Sequence, residues 1–265
     1  MKTKIIILIP HFNALSDLKK SLISIQEPFD IDLMIVDDGS MEKPSLDELK
    51  QIYMKGVIYL ECLPKNIGIE KALNFGLKKI HEMNYEYTGR LDQGDLCYPD
   101  KFSKQLNYLE QNKDVFLLGT WVEMVDENMN FLFNLKHPTS YNEIKKKMYI
   151  NSMFVHPTIV FRTEIVNTVG YYPENYQSAE DFAYIFTIMK SFKVENYPEI
   201  LLKYVVSSKS ISSRKRKQQV KNRIKITLKH FKFGFYPIYG LARNSLLYFM
   251  SRESTNFLKK HFIPK

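Results

Sequence analysis

Cysteine is nearly absent from this 265-residue chain, and the two present, Cys62 and Cys97, match neither a disulfide framework nor the spacing of a zinc site. A signal-peptide layout is also missing, since the first residues run straight into a core strand, so a reducing cytoplasm is the expected compartment. No stretch offers the ~20 clean apolar residues of a spanning helix. The most apolar part, residues 231–250, is interrupted by Lys232, Gly234, Pro237, Gly240 and Arg243. Nor does a glycine-rich fingerprint follow the first apolar run, where Pro10, His11, Phe12 and Asn13 stand instead, which argues against a dinucleotide oxidoreductase. Acids are scarce in the last part of the chain. Residues 205–265 carry one, Glu253, against 15 Lys or Arg, so this segment is +14 while the rest is −5 and the whole is +9. Body and tail are therefore different electrostatic objects, and the tail suits an anionic surface such as lipid headgroups or nucleic acid.

What is abundant is apolar: 45% hydrophobic and 14% aromatic residues describe a globular chain with material for a sizeable core, as one large α/β domain or a domain with an appendage. The first ~100 residues alternate strands and helices at βαβ intervals. Residues 5–9, 33–36, 57–60 and 87–91 read as strands. Leu15, Leu18, Leu22 and Ile25 recur at helical spacing with Asn13 or Ser16 as a possible N-cap, residues 46–53 form a short helix, and Ile69, Leu73, Leu77 and Ile80 share one helical face. Gly68, Ala72 and Gly76 leave a bare stripe for close approach to a sheet or a ligand. Farther on, a helix carrying Phe102, Leu106 and Leu109, a long strand at 115–125, a lysine-rich helix with Ile144 and Met148, a strand at 158–162, a short helix at 163–169 and a helix opened by Glu180 and Asp181 are expected.

Three of the early strands end in polar residues: Pro10, His11, Phe12 and Asn13; Asp37, Asp38, Gly39 and Ser40; and Asp92, Gln93, Gly94 and Asp95. The carboxyl edge of a parallel sheet is where open α/β folds bind ligands, so three such ends point to one crevice, and nucleotides are its usual occupants. Asp92 and Asp95 could hold a divalent metal bridging a diphosphate through hard oxygen ligands, or form a polar turn capping the next helix. Asp38 could accept hydrogen bonds from a base or ribose, with residues 10–13 as the opposite wall, or make an Asx turn with Gly39.

In unbroken order over about residues 4–200, the chain resembles the family 2 glycosyltransferases with the GT-A fold. Matching residues are Pro10, His11, Phe12 and Asn13; Val36, Asp37, Asp38, Gly39 and Ser40; Asn66, Gly68, Ala72, Asn74 and Gly76; Arg90, Leu91, Asp92, Gln93, Gly94 and Asp95; His156, Pro157 and Thr158 ahead of Phe161 and Arg162; and Ala179, Glu180 and Asp181. The resemblance implies a Rossmann-like α/β domain over residues 1–204, with a mostly parallel central sheet flanked by helices and a basic, helical extension over 205–265. It implies transfer of a sugar from a nucleoside diphosphate donor, a UDP-sugar by base rate, with Mg²⁺ or Mn²⁺ and inversion at the anomeric carbon. Carried over, Pro10, His11, Asn13, Asp37, Asp38, Asn66, Gly68, Arg90 and Asp92 would line the donor site. Asp92 would belong to the metal and diphosphate. Asp181 would be the general base, with Glu180 in support. Where the family has a further aspartate this chain has Gly94, so Asp95 or His156 is expected to complete the metal site, ahead of a metal held mainly through Asp92 and the diphosphate itself; His156 could instead be a histidine satisfied in the core beside Pro157. An aromatic residue is commoner in the family where His11 stands.

In the tail, Arg214, Lys215, Arg216 and Lys217 precede a helix in which Val220, Ile224, Leu228 and Phe231 are expected to share a face, followed by an aromatic interfacial hairpin with Phe233, Phe235, Tyr236 and Tyr239 at headgroup level. The alternative is that this face packs on the catalytic domain. A peripheral enzyme on the inner face of the cytoplasmic membrane, acting on a glycan or lipid-linked acceptor in envelope lipopolysaccharide or capsule synthesis, joins the two halves. A nucleic-acid-binding protein would leave the aspartate-rich crevice unexplained. A catalytically impaired relative that only binds a nucleotide sugar is the reading Gly94 would favour.

Overall fold

The computed structural model describes residues 3–207 and 215–250. Arg214 and Glu253 lie outside the described residues. The chain opens with β1 (Ile5–His11), α1 (Leu15–Ile23), β2 (Asp32–Asp37), α2 (Leu46–Ile52), β3 (Ile58–Cys62), α3 (Ile69–Glu82) and β4 (Tyr87–Arg90). It continues through β5 (Leu96–Cys97), α4 (Lys101–Gln111), β6 (Val115–Val125), β7 (Phe131–Leu135), α5 (Tyr141–Lys147), β8 (Val160–Arg162), α6 (Val166–Val169), α7 (Glu180–Ser191) and β9 (Lys193–Val205). Two helices follow, α8 (Arg216–Lys229) and α9 (Phe235–Phe249).

One sheet runs β3-β2-β1-β4-β8-β6-β9-β5, with β7 beside β6. Its first four strands are parallel. Beyond them β8 is antiparallel to β4 and β6, and β6 and β9 are parallel, so the sheet is mixed. Strands β1 and β2 are buried along their whole length, which is why they read as continuous apolar runs. Alternation splits β1 between two cores: Ile6 and Leu8 pack with α3 and α7, while Ile5, Ile7 and Ile9 pack with α1, α2 and α4. The bare stripe on α3 is used against the sheet. A Cβ at Gly76 would lie 2.4 Å from Leu8 Cδ1 and 2.9 Å from Val36 Cγ2.

Several expectations change in detail. Helix α1 is capped at Ala14, with no side-chain cap from Asn13 or Ser16. The strand expected at 158–162 begins at Val160, because Pro157 sits in a 3-10 turn, His156–Thr158. The segment 163–169 divides into a 3-10 turn and α6, ending at Gly170 with φ +73. Strand β9 escaped the sequence reading because Pro198 interrupts it, at a register shift where Thr120 pairs Tyr197 but Trp121 pairs Ile200; strands accommodate proline at such irregularities. The domain boundary drawn at 204 falls one residue short of the end of β9 at Val205. In α8 the buried positions are Val220, Asn222, Ile226 and Thr227, whereas Leu228 is exposed. Val220 and Leu228 therefore do not share a face toward solvent. Inward packing sets the helix rotation, and a polar residue, Asn222, sits inside.

Candidate active site

At the carboxyl edge of the parallel strands, three loops are laced together by short polar contacts. His11 Nδ1 meets Asp37 Oδ1 at 2.7 Å, with both side chains fully buried. Asp37 also accepts the Ser40 amide at 3.1 Å and the Ser40 hydroxyl. Ser40 Oγ in turn accepts the Asn13 amide at 2.8 Å, and Asn13 Oδ1 accepts the Met41 amide at 2.9 Å. Gln93 ties in the third loop, accepting the Phe12 amide at 2.9 Å and donating to the Phe12 carbonyl at 3.2 Å. Residues 10–13, 37–41 and 92–95 thus form one rim, as adjacency of β2, β1 and β4 requires.

Asp37 is spent within this lacing. Asp38 reaches sideways: its carboxylate accepts the amides of Ile67 at 2.7 Å and Gly68 at 3.0 Å, which anchors the loop holding Asn66 to the end of β2. Burial pushes the Asp38 carboxyl up, against those two amide donors. Gly39 makes the turn possible. At φ +72, a Cβ there would lie 2.3 Å from the Lys65 carbonyl carbon.

Arg90 is a fully buried arginine whose guanidinium donates to the Leu8 carbonyl at 2.8 Å and to Asp92. Its Nε finds no partner. The Asp92 carboxylate emerges beyond it with its side chain 37% exposed. Asp95 goes the other way, buried, accepting the Val205 amide of β9 at 2.9 Å. Burial and the neighbouring Asp92 push its carboxyl well up, with the buried Lys101 close by. His156 Nε2 meets the Tyr172 hydroxyl at 2.9 Å with the rings edge to face; burial and then Arg90 push this imidazole well below its usual range, so it is neutral. Asp92, Asp95 and His156 therefore do not converge on one cation. Among the described residues no three His, Cys, Asp or Glu side chains do. Of the three expected ligands, Asp92 alone has the exposed oxygen chemistry a hard divalent cation needs, and Gly94, at φ +93, adds no side chain beside it.

The first turn of α7 brings Glu180 and Asp181 to the same region. Asp92 bears electrostatically on both carboxyls, and both also bear on the Tyr172 phenol. Glu180 is buried with Oε2 unpartnered, and burial followed by Asp181 pushes its carboxyl up to about 8. Burial also raises Asp181, but Arg223 of α8 opposes this. So Asp92 and the two helix carboxylates share one electrostatic neighbourhood, while Asp37 and Asp38 serve the rim itself. Sequence reading missed Tyr172 and Arg223. Nothing in their spacing marks them, but Asn74 holds both the amide and the carbonyl of Tyr172 at 2.8 Å, and Asn74 was among the motif residues.

Residues 6–170 match the family description "Glycosyl transferase family 2". The chain belongs to glycosyl transferase family 2. Among the relatives of this glycosyltransferase is the Erwinia amylovora "Amylovoran biosynthesis glycosyltransferase AmsE", 29% identical over 80% of this chain and 80% of that protein. The Escherichia coli "UDP-Gal:alpha-D-GlcNAc-diphosphoundecaprenol beta-1,3-galactosyltransferase" is 26% identical over 64% of this chain and 61% of that one. In fold it is similar to S. aureus TarS 1–349 in complex with UDP-GlcNAc, with a TM-score of 0.64 and 17% identity over 98% of this chain and 76% of that one. The α/β architecture read from the sequence is thereby that of the GT-A glycosyltransferases.

Proposed function

We propose that this glycosyltransferase moves a sugar, with inversion, from a nucleoside diphosphate donor to a hydroxyl of a glycan or lipid-linked acceptor in envelope polysaccharide or lipooligosaccharide synthesis. A UDP-sugar is the first candidate, because a galactosyltransferase relative and a structural neighbour are each named with a UDP-sugar. A single observation carries the mechanism: Asp181, in the first turn of α7, lies within the electrostatic reach of Asp92, beyond the end of β4. One carboxylate then serves the leaving side and one the attacking side of a direct displacement.

In this reading the rim of residues 10–13, 37–41 and 66–68 cradles the nucleoside, and Arg90 fixes Asp92 at the diphosphate. Asp181 accepts the proton of the acceptor hydroxyl as its oxygen attacks the anomeric carbon, while the bond to the diphosphate breaks. Glu180, with its carboxyl held up near 8, stays protonated beside it, so two adjacent acids take different charge states. Asp92 is the residue that would hold Mg²⁺ or Mn²⁺, and the metal would neutralise charge on the leaving group.

Peripheral membrane association belongs to the same proposal. No described helix is long and apolar enough to cross a membrane, but the basic α8 and the aromatic α9 give a cationic, apolar surface of the kind that adsorbs to anionic lipid.

The test is release of UDP from UDP-galactose, UDP-glucose and UDP-N-acetylglucosamine in the presence of N-acetylglucosaminyl-diphosphoundecaprenol, with and without Mn²⁺. Asp181→Asn should lower kcat by about 100-fold or more while the donor KM changes little. An Asp181→Asn chain as active as the wild type would remove this assignment.

A further inference from the structure

Helix α8, the first of the basic tail, lies directly on the helix that carries Glu180 and Asp181. Its Asn222, a buried polar residue, donates through Nδ2 to the Gln177 carbonyl at 2.8 Å, just before α7. Val220, Ile226 and Thr227 are buried as well, Ile226 in the core that holds Phe182 and Phe186 of α7. Farther along, Tyr149 donates to the His230 carbonyl at 2.9 Å, and the His230 ring stacks on Phe186 of α7 at 5.0 Å. The contact is thus anchored at both ends.

Between these anchors Arg223 turns inward. Its guanidinium lies 5.6 Å from the ring centre of Phe182, the residue after Asp181, and its Nη1 donates to Asn151 Oδ1 at 2.6 Å. Its Nε is buried without a hydrogen-bond partner. An arginine is an expensive group to hold against an aromatic core, and its cost is offset only where a negative charge answers it. The negative charge that bears on it is that of Asp181, next to Phe182 in the chain.

We propose that Arg223 of α8 is a positioning residue for Asp181, favouring its carboxylate form, so that the segment after β9 completes the catalytic site. This rests on the reading of Asp181 as the general base. The groups that face the pair come from five places. Glu180 neighbours Asp181 on α7, Asp92 approaches from the loop after β4, the Tyr172 phenol from the loop after α6, Arg243 of α9 flanks Arg223, and Glu70 of α3 bears on Glu180. Arg223 is the cation that lowers Asp181 among these. Without it burial and Asp92 favour the protonated acid, opposed by the backbone hydrogen bonds at Phe182 and Asp181.

The experiment is a ¹³C NMR titration of the full-length chain labelled at the aspartate carboxyl carbon, with the Asp181 signal assigned by its loss in Asp181→Asn. Arg223→Gln keeps a donor for Asn151 and removes the charge. The Asp181 midpoint should then rise by about one unit or more, and the acid limb of kcat should move up by the same amount. Arg223→Lys should return both toward the wild type. An Asp181 midpoint unchanged in Arg223→Gln would overturn the proposal. Were Arg223→Gln not to fold, Arg223→Met would decide instead: an Asp181 midpoint raised by about one unit supports the proposal, and an unchanged one overturns it. The two readings separate cleanly, since an active Asp181→Asn chain defeats the assignment of the base, whereas an inactive one with an unmoved Arg223→Gln titration defeats only the role of Arg223.

Discussion

His11 and Asp37 close the ends of two neighbouring parallel strands with a fully buried contact of 2.7 Å between Nδ1 and Oδ1. Because Asp37 also takes both the amide and the hydroxyl of Ser40, this one carboxylate sets the path of two loops of the rim. Asp37→Ala would strand the buried imidazole and the Ser40 amide. A loss of about 2–4 kcal/mol of stability is expected, read as a lower midpoint in urea at unchanged slope.

The glycines of the rim separate strain from space. Gly39 and Gly94 both have positive φ, but a Cβ at Gly39 meets Lys65 backbone at 2.3 Å whereas the nearest atom at Gly94 is Asp17 Cβ at 3.7 Å. Gly94→Ala should therefore cost about 1 kcal/mol, the conformational term alone, while Gly39→Ala should cost about 3 kcal/mol or more and raise the donor KM, because the loop carrying Ile67 and Gly68 must move. Thermal melts of the two variants make the comparison; equal shifts would contradict it.

Asp92 and Asp95, three residues apart, should respond differently to the same change. Asn at 95 can still accept the Val205 amide, and it removes a carboxyl whose ionised form burial disfavours. Asp95→Asn is expected to keep activity within a few-fold. Asp92→Asn should lose about 100-fold or more in kcat, with a weaker response to Mn²⁺, if its exposed oxygens serve the diphosphate.

Much of this was legible in the sequence for a physical reason. Strands β1 and β2 are buried on both faces, so continuous apolar runs marked them, and their polar ends located the rim at residues 10–13 and 37–40 before any coordinates. Individual roles were less legible. Whether Asp38 faces a ligand or the Ile67 and Gly68 amides depends on a loop 29 residues away, and whether Asp95 faces a cation or β9 depends on Val205, 110 residues on. Strand β7 carries no burial alternation, with Phe131, Leu132 and Phe133 all exposed, so periodicity had nothing to report. Arg223 belonged to a run of cations whose count suggested a surface, and only its packing on Phe182 distinguishes it from Lys221 or Lys225.

Glu180 makes the stability of the chain depend on pH in a direction opposite to that of a salt-bridged acid. Its carboxyl titrates at about 8 in the folded chain against an ordinary 4.5, so between these values the folded state holds a proton that the unfolded state has released. Stability from this group is complete below about pH 4.5 and lost as pH rises through 8. Glu180→Gln, neutral throughout, should match the wild type near pH 4.5 and melt higher than it above pH 8. A melting difference that stayed constant across this range would show that the carboxyl is ionised in the folded chain.

Helix α9 has a buried face and an exposed one. Pro237, Gly240 and Asn244 are buried, and a Cβ at Gly240 would strike the Tyr149 carbonyl oxygen at 2.1 Å, so this side is seated on the catalytic domain. Phe235, Ile238, Tyr239, Leu246 and Phe249 recur at helical spacing on the opposite side and are exposed, Phe235 by 74% and Phe249 by 83%. Lys221, Lys225, Lys229 and Lys232 are exposed on the neighbouring helix and turn. An apolar stripe flanked by cations is drawn to anionic lipid by burial of its rings and by about 1 kcal/mol for each cation near the surface. The decisive variant leaves the seated face alone. Phe235→Ser with Phe249→Ser should preserve the melting temperature and UDP release with a soluble acceptor, yet lower co-sedimentation with phosphatidylglycerol vesicles by about 10-fold, since two large side chains contribute upwards of 1.4 kcal/mol together. Vesicles of phosphatidylcholine alone should bind wild type and variant equally weakly. Equal binding of both chains to the anionic vesicles would assign the cationic tail a role in the fold and the catalytic site alone.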